Sequence, residues 1–156
     1  GRTLAEKYFG TNKDPDQIPT TEENSTWFRK EIPSCFSIIR YKKEIIGFSI
    51  IIPSSKELMK QFVSKKITER QLFESIKKQK IIKKEAIYLC SVFIKPECRG
   101  RGLAIKSLIQ SIKKSFDMAK HPPLFYWAYS AEGDRLVQKI SRELKLPVYK
   151  RIEKVE

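Results

Sequence analysis

Residues 86–109 read AIYLCSVFIKPECRGRGLAIKSLI, and that order constrains the fold more than anything else in the chain. The first nine residues are almost wholly apolar, as in a central strand covered on both faces. Pro96 follows, then two Arg-Gly pairs, Arg99-Gly100 and Arg101-Gly102. Apolar residues return at a different spacing, with Ile105, Leu108, Ile109, Ile112 and Phe116 tracing a stripe of helical period. A strand, a basic glycine loop and a helix in that order bring unpaired backbone N–H groups and the positive end of a helix dipole to one place. Glycines let a ligand approach the backbone, because no Cβ stands in the way. The result is a cradle for an anion such as a pyrophosphate. It is not a Walker A loop, since no Gly-Lys-Ser/Thr follows, and it lacks the glycine spacing of the dinucleotide-binding fingerprint.

The flanking sequence builds a mixed α/β domain around this unit. Residues 3–9 are a candidate short helix, and Thr20 with Glu23 has capping-box spacing for a helix over about 21–31, ended by Pro33. Two β-rich runs, 35–41 and 44–52, flank Tyr41-Lys42-Lys43-Glu44 and read as an antiparallel hairpin closed by Pro53. Ser54 with Glu57, and Thr68 with Gln71, open two helices, so residues 54–80 form a helical insert between strands. After the central strand and its helix, Pro122-Pro123 stops the chain before an aromatic strand, LFYWAYS, at 124–130. Leu136, Val137, Ile140 and Leu144 mark a last helix, and VYKRIEKV after Pro147 is the final strand.

At this point the sequence resembles the GNAT superfamily of acyl-CoA-dependent N-acetyltransferases. Arg99-x-x-Gly102-x-Ala104 is similar to that family's Gln/Arg-x-x-Gly-x-Gly/Ala signature, and VFIKPEC resembles the strand that leads into it. The resemblance implies a single domain over residues 1–156, a mostly antiparallel central sheet flanked by helices, and acetyl-CoA as acetyl donor. Amides of Gly100, Arg101, Gly102, Leu103, Ala104 and Ile105 would hold the pyrophosphate, with Arg99 and Arg101 adding charge. Val92, Phe93 and Ile94 would bind the pantetheine arm through their main chain, in a gap where the central strand bulges and parts from its neighbour. Relatives carry a tyrosine in the last helix as general acid, a few residues after an Asn. Here that segment reads YSAEGDRLVQKISREL, without a tyrosine inside the helix, and Tyr129 is the nearest substitute. The usual first and last strands are also missing, which implies a short sheet, trimming at Gly1, or a second copy that completes the sheet as a homodimer.

Charge and composition bound the alternatives. The net charge is +14, from 32 basic and 18 acidic residues, but the lysine pairs are dispersed along the sequence. A solvated basic surface therefore ranks above a nucleic-acid stripe, and nucleic acid stays an alternative partner. No apolar run is long enough to span a membrane. Cys35, Cys90 and Cys98 lack metal-ligand spacing, the chain has one histidine, and the expectation is free thiols in a cytoplasmic protein without a metal. Arg99 and Arg101 read otherwise as surface arginines, and Gly102 as a tight-turn glycine. The acidic residues Asp14, Asp16, Glu22 and Glu23 read as helix-start residues or as a lure for a cationic amine, and the acceptor itself is unidentified.

Overall fold

The computed structural model describes residues 18–19, 21–127 and 130–152. Its elements in chain order are α1 (Glu22–Glu31), β1 (Phe36–Tyr41), β2 (Glu44–Ser54), α2 (Lys56–Val63), α3 (Glu69–Lys77), β3 (Ala86–Ile94), α4 (Leu103–Ser115), β4 (Leu124–Trp127), α5 (Ala131–Leu144) and β5 (Val148–Arg151). The five strands form one sheet in the order β1-β2-β3-β4-β5. β1, β2 and β3 pair antiparallel, while β3–β4 and β4–β5 are parallel. The mixed α/β sheet expected from sequence is therefore present, with two antiparallel pairings matched by two parallel ones. The expected helix at 3–9 lies outside the described residues. Among those described, no helix is long and apolar enough to cross a membrane.

Both faces of the sheet are covered. Tyr88, which pairs with Ile52, packs edge-on against Phe62 of α2 and stacks on Phe125 of β4. Ser49 lies three residues from Ile52 along β2 and so points to the other face, where its hydroxyl is 2.9 Å from that of Ser107 on α4. Two more serine pairs, Ser37–Ser111 and Ser34–Ser115, are each 2.7 Å apart. Ser107, Ser111 and Ser115 are four residues apart, so they form one stripe of α4, and small hydroxyl side chains let helix and sheet approach closely while satisfying each other. Ile51, Ile87, Phe73, Ile112, Leu124 and Ile140 are fully buried between these layers.

Local chemistry places some boundaries away from the expected positions. Thr21, not Thr20, caps α1, because its hydroxyl accepts from the N–H of Asn24; Thr20 lies outside the described residues. β2 runs through Pro53 to Ser54. β1 has ended opposite Ile50, so Pro53 has no strand neighbour on that side to need its missing N–H. Ser55 therefore caps α2, accepting from Leu58 N–H, while Ser54 pairs with Ala86. The Thr68–Gln71 capping box at α3 is made in both directions. α4 ends before Phe116, well ahead of Pro122, and a turn of 3-10 helix at Met118–Lys120 fills the interval. Ser130 is not a strand residue: its side chain accepts from Gly133 N–H and caps α5.

Candidate active site

The apolar run 86–94 lies in the middle of the sheet, but it keeps its second neighbour only at its start. β3 and β4 are in register at Ile87–Leu124 and Tyr88–Phe125, and no further. β4 stays paired with β5 through Tyr126–Lys150 and Trp127–Arg151, so β4 departs with β5 while β3 continues along β2 to Ile94. At the fork, Ile50 pairs with Ser91 and Ile51 with Leu89, leaving Cys90 as the extra residue of a bulge. Beyond the fork, the side of β3 turned towards β4 has no strand partner among the described residues, which leaves a gap of the kind an extended ligand can enter. On the other side β2 approaches so closely at Gly47 that an added Cβ would stand 1.9 Å from the carbonyl oxygen of Phe93. An isolated glycine inside IIGFSIII was the sequence signal for this contact.

The open gap leads to the start of α4, which differs from the other helix starts. α1, α2, α3 and α5 each begin on a Ser or Thr cap and carry at least one acidic residue in the first turn. α4 begins on Gly102, with neither a side-chain cap nor an acidic residue. Its first N–H groups and dipole are left for something else to satisfy. Gly100 and Gly102 have φ of +83° and +73°, a left-handed backbone that glycine takes without strain. A Cβ built on either meets nothing within 4 Å, so the glycine backbone faces open space.

A cavity of about 610 Å³ joins gap and loop. Val92, Phe93, Ile94, Arg99, Gly100, Arg101, Gly102, Leu103, Ala104 and Ile105, the residues singled out in the sequence, all line it. Its far wall is α5, through Ser130, Glu132, Gly133, Leu136 and Lys139, which sequence reasoning did not assign to the site. Their spacing follows one face of a helix, but only the fold shows that this face turns towards the loop. Two arginines, one lysine and one glutamate give the lining a positive balance. Arg99 is held by its own strand, with Nε 2.9 Å from the carbonyl oxygen of Ile94 and its guanidinium 5.8 Å from the Phe93 ring centre. Arg101 reaches Tyr41 at the end of β1, with Nη1 3.1 Å from the hydroxyl and the guanidinium 4.9 Å from the ring centre.

Other groups considered from sequence fall elsewhere. Tyr129 lies outside the described residues; its described neighbours are Trp127, which ends β4, and Ser130, which caps α5. Glu85 accepts from the backbone N–H of Lys56 at 3.1 Å, at the start of α2. Burial holds the Cys90 thiol well above its usual range, and the Glu69 carboxylate adds to that, so Cys90 is not an activated nucleophile. Two other phenols already donate to carboxylates, Tyr88 to Glu69 and Tyr126 to Asp134. Among the described residues no cluster of His, Cys, Asp and Glu is suited to a metal ion.

Comparison with known proteins agrees with this arrangement. Residues 2–128 match the acetyltransferase (GNAT) family. A solved structure from Corynebacterium glutamicum ATCC 13032, described as histone acetyltransferase HPA2 and related acetyltransferase, is similar at 16% identity and a TM-score of 0.47, covering 88% of this chain and 74% of that one. No curated protein matches.

Proposed function

The chain belongs to the acetyltransferase (GNAT) family, and from that premise we propose that it is an N-acetyltransferase that passes an acetyl group from acetyl-CoA to a primary amine by direct attack on the thioester. The observation that carries this reading is the continuity of three features: the fork between β3 and β4, the open glycine loop, and the uncapped start of α4. Residues 1–156 serve as one acetyltransferase domain in this reading.

The residues present fit such a donor. Amides from Gly100 to Ile105 bind the pyrophosphate, with Arg99 and Arg101 beside them. The main chain of Val92, Phe93 and Ile94 takes the pantetheine amides as a neighbouring strand would. When bound, acetyl-CoA supplies an acyl group already activated as a thioester. An ammonium acceptor has a pKa of about 10.4, so it must lose a proton before it can attack. A backbone N–H of β3 would serve as the donor that stabilises the developing oxyanion. Tyr129 is assigned as donor to the departing thiolate, since a phenol with pKa near 10 keeps its proton at neutral pH.

Two measurements test the reading. Acetyl-CoA at about 100 times its Kd should stabilise the fold by ~2.7 kcal/mol. Free-thiol release should then rise when the protein is screened against primary amines. A polynucleotide that stabilises the fold where acetyl-CoA does not would overturn the proposal. Binding of acetyl-CoA without thiol release towards any amine would reduce the protein to a binding module, the reading favoured by the absence of a tyrosine inside α5.

A further inference from the structure

Residues 77–84 read KKQKIIKK and join the end of α3 to β3. Their centre is a closed turn. The Gln79 side chain accepts from the backbone N–H of Lys83 at 3.2 Å, and the N–H of Gln79 bonds the carbonyl oxygen of Ile76 at 3.2 Å. The two isoleucines of this turn point to different surroundings. Ile82 is half-buried against the core, while Ile81 is 85% exposed, more than any other large hydrophobic residue among those described. Lys78, Lys80 and Lys83 around it are exposed too. A lone exposed isoleucine needs no explanation. One held out on a closed turn between exposed lysines makes a surface that is apolar at its tip and cationic at its rim.

A second element extends this surface. Lys84 Nζ is 3.4 Å from the carbonyl oxygen of Ser115, so the base of the turn lies against the C-terminal end of α4. Lys113 and Lys114, in the last turn of α4, are exposed. The acidic residues of these segments are already engaged: Glu74 pairs with Lys77, Glu85 accepts from Lys56 N–H, and Asp117 accepts from Ala119 N–H. Helix dipoles account for lysines at the ends of α3 and α4. They do not account for Lys80, Lys83 or the outward isoleucine. Nor is this the pattern of a nucleic-acid contact: Gln79, Ile81 and Ile82 interrupt the lysines, and an aliphatic tip offers bases no ring to stack on. A bilayer interface uses both parts, with anionic headgroups for the charge and the acyl boundary beneath them for the apolar tip.

We propose that the 78–84 turn, with Ile81 at its tip and Lys78, Lys80, Lys83, Lys113 and Lys114 around it, docks the protein on an anionic lipid surface without spanning it. Ile81 enters the interface, and the lysines meet the headgroups. α4 sets the geometry. It starts at the cavity with Leu103 and ends at the patch with Ser115, 13 residues or about 20 Å away. A docked molecule therefore keeps its cavity off the lipid by the length of that helix. The docking stands whether or not the cavity transfers acetyl groups.

Co-flotation tests this with vesicles of phosphatidylcholine alone and of phosphatidylcholine with about 30% phosphatidylserine, at about 0.15 M salt. The parent should float with the second and not with the first. A net charge of +14 by itself favours anionic vesicles, so variants must separate the patch from the general field. The triple variant Lys78→Gln, Lys80→Gln, Lys83→Gln should bind about a hundredfold more weakly, at roughly fivefold per lysine. Lys60→Gln, Lys65→Gln, Lys66→Gln removes the same charge from exposed positions before α3 and should lose far less. Ile81→Ser changes no charge and, at so exposed a position, should leave the melting temperature unchanged. It should still weaken binding by about fivefold or more. Equal losses in the two lysine triples, or parent-like binding by Ile81→Ser, overturns the proposal. So does a duplex oligonucleotide that the parent prefers to the vesicles at the same salt, which would assign the patch to nucleic acid.

Discussion

Gly102 carries two demands in one residue. Its φ of +73° is a backbone that L side chains adopt at a cost of roughly 1–2 kcal/mol, and its missing Cβ leaves the start of α4 open. Gly102→Val should therefore lose a modest amount of stability but at least about tenfold in acetyl-CoA affinity, because the side chain would stand where the proposal puts the pyrophosphate. Gly102→Asn separates the two effects, since Asn tolerates left-handed backbone: it should keep the melting temperature and still bind weakly. Normal affinity in a folded Gly102→Val protein would place the cradle elsewhere. Tyr129→Phe keeps the ring and deletes only the hydroxyl. A working general acid requires a fall of ~10²-fold in kcat with acetyl-CoA affinity unchanged, whereas an unchanged kcat would hand the proton to solvent. Residue by residue, the strand-loop-helix unit was the most legible part of the cavity wall. All ten residues that the family resemblance assigned to the cofactor line one cavity, since they follow one another through a strand end, a loop and a helix start.

Elements joined across long stretches of sequence were less legible. The α5 wall of the cavity and the serine stripe of α4 both depend on which helix face meets which strand, and periodicity alone does not choose between partners. Helix starts were misplaced by one residue at α1 and α2, where adjacent hydroxyl residues compete and backbone geometry decides. The contact between β4, α5 and β5 is another long-range junction with a measurable consequence. Tyr126 donates to Asp134 at 2.8 Å, and Lys150 bonds the other oxygen of that carboxylate at 3.0 Å. Lys150 first, then Tyr126, hold the Asp134 carboxyl below its usual range; its share of stability is present above the ordinary carboxylate pKa and lost as pH falls towards the lowered one. Burial first, then Asp134, push the Tyr126 phenol up to about 12. An unfolded chain sheds this proton near pH 10, so between roughly pH 10 and 12 the folded state holds more protons and stability falls as pH rises. Urea midpoints between pH 9 and 12 should drop less steeply in Tyr126→Phe than in the parent, and parallel curves would show that the hydroxyl is not held this way.

At the scale of the whole molecule, the +14 charge has to be reconciled with the proposed small-ligand site. The lysine pairs fall at separate element ends: Lys42-Lys43 in the hairpin turn, Lys65-Lys66 after α2, Lys77-Lys78 at the end of α3, and Lys83-Lys84 before β3. Some are spent internally. Lys77 bonds the Asn24 side chain at 2.9 Å and Glu74 at 3.3 Å, and Lys84 reaches the carbonyl oxygen of Ser115 at 3.4 Å. Dispersal over four element ends gives no single basic run in the sequence of the kind that marks a nucleic-acid stripe. A field this positive still attracts anions and speeds their arrival, so weak binding of any polyanion at low salt is expected and diagnoses nothing. Salt dependence is the discriminating measurement. A protein that neutralises 6–10 nucleic-acid phosphates loses about 10³–10⁵ in affinity between 50 and 200 mM salt. On the proposed reading acetyl-CoA would meet only the few cations that line the cavity, so its affinity should fall by no more than roughly tenfold over the same range. Polynucleotide binding should be lost by 150 mM salt while acetyl-CoA binding persists. A polynucleotide that still binds tightly at 150 mM, with the steep slope of many phosphate contacts, would instead show that the dispersed lysines act together as one surface.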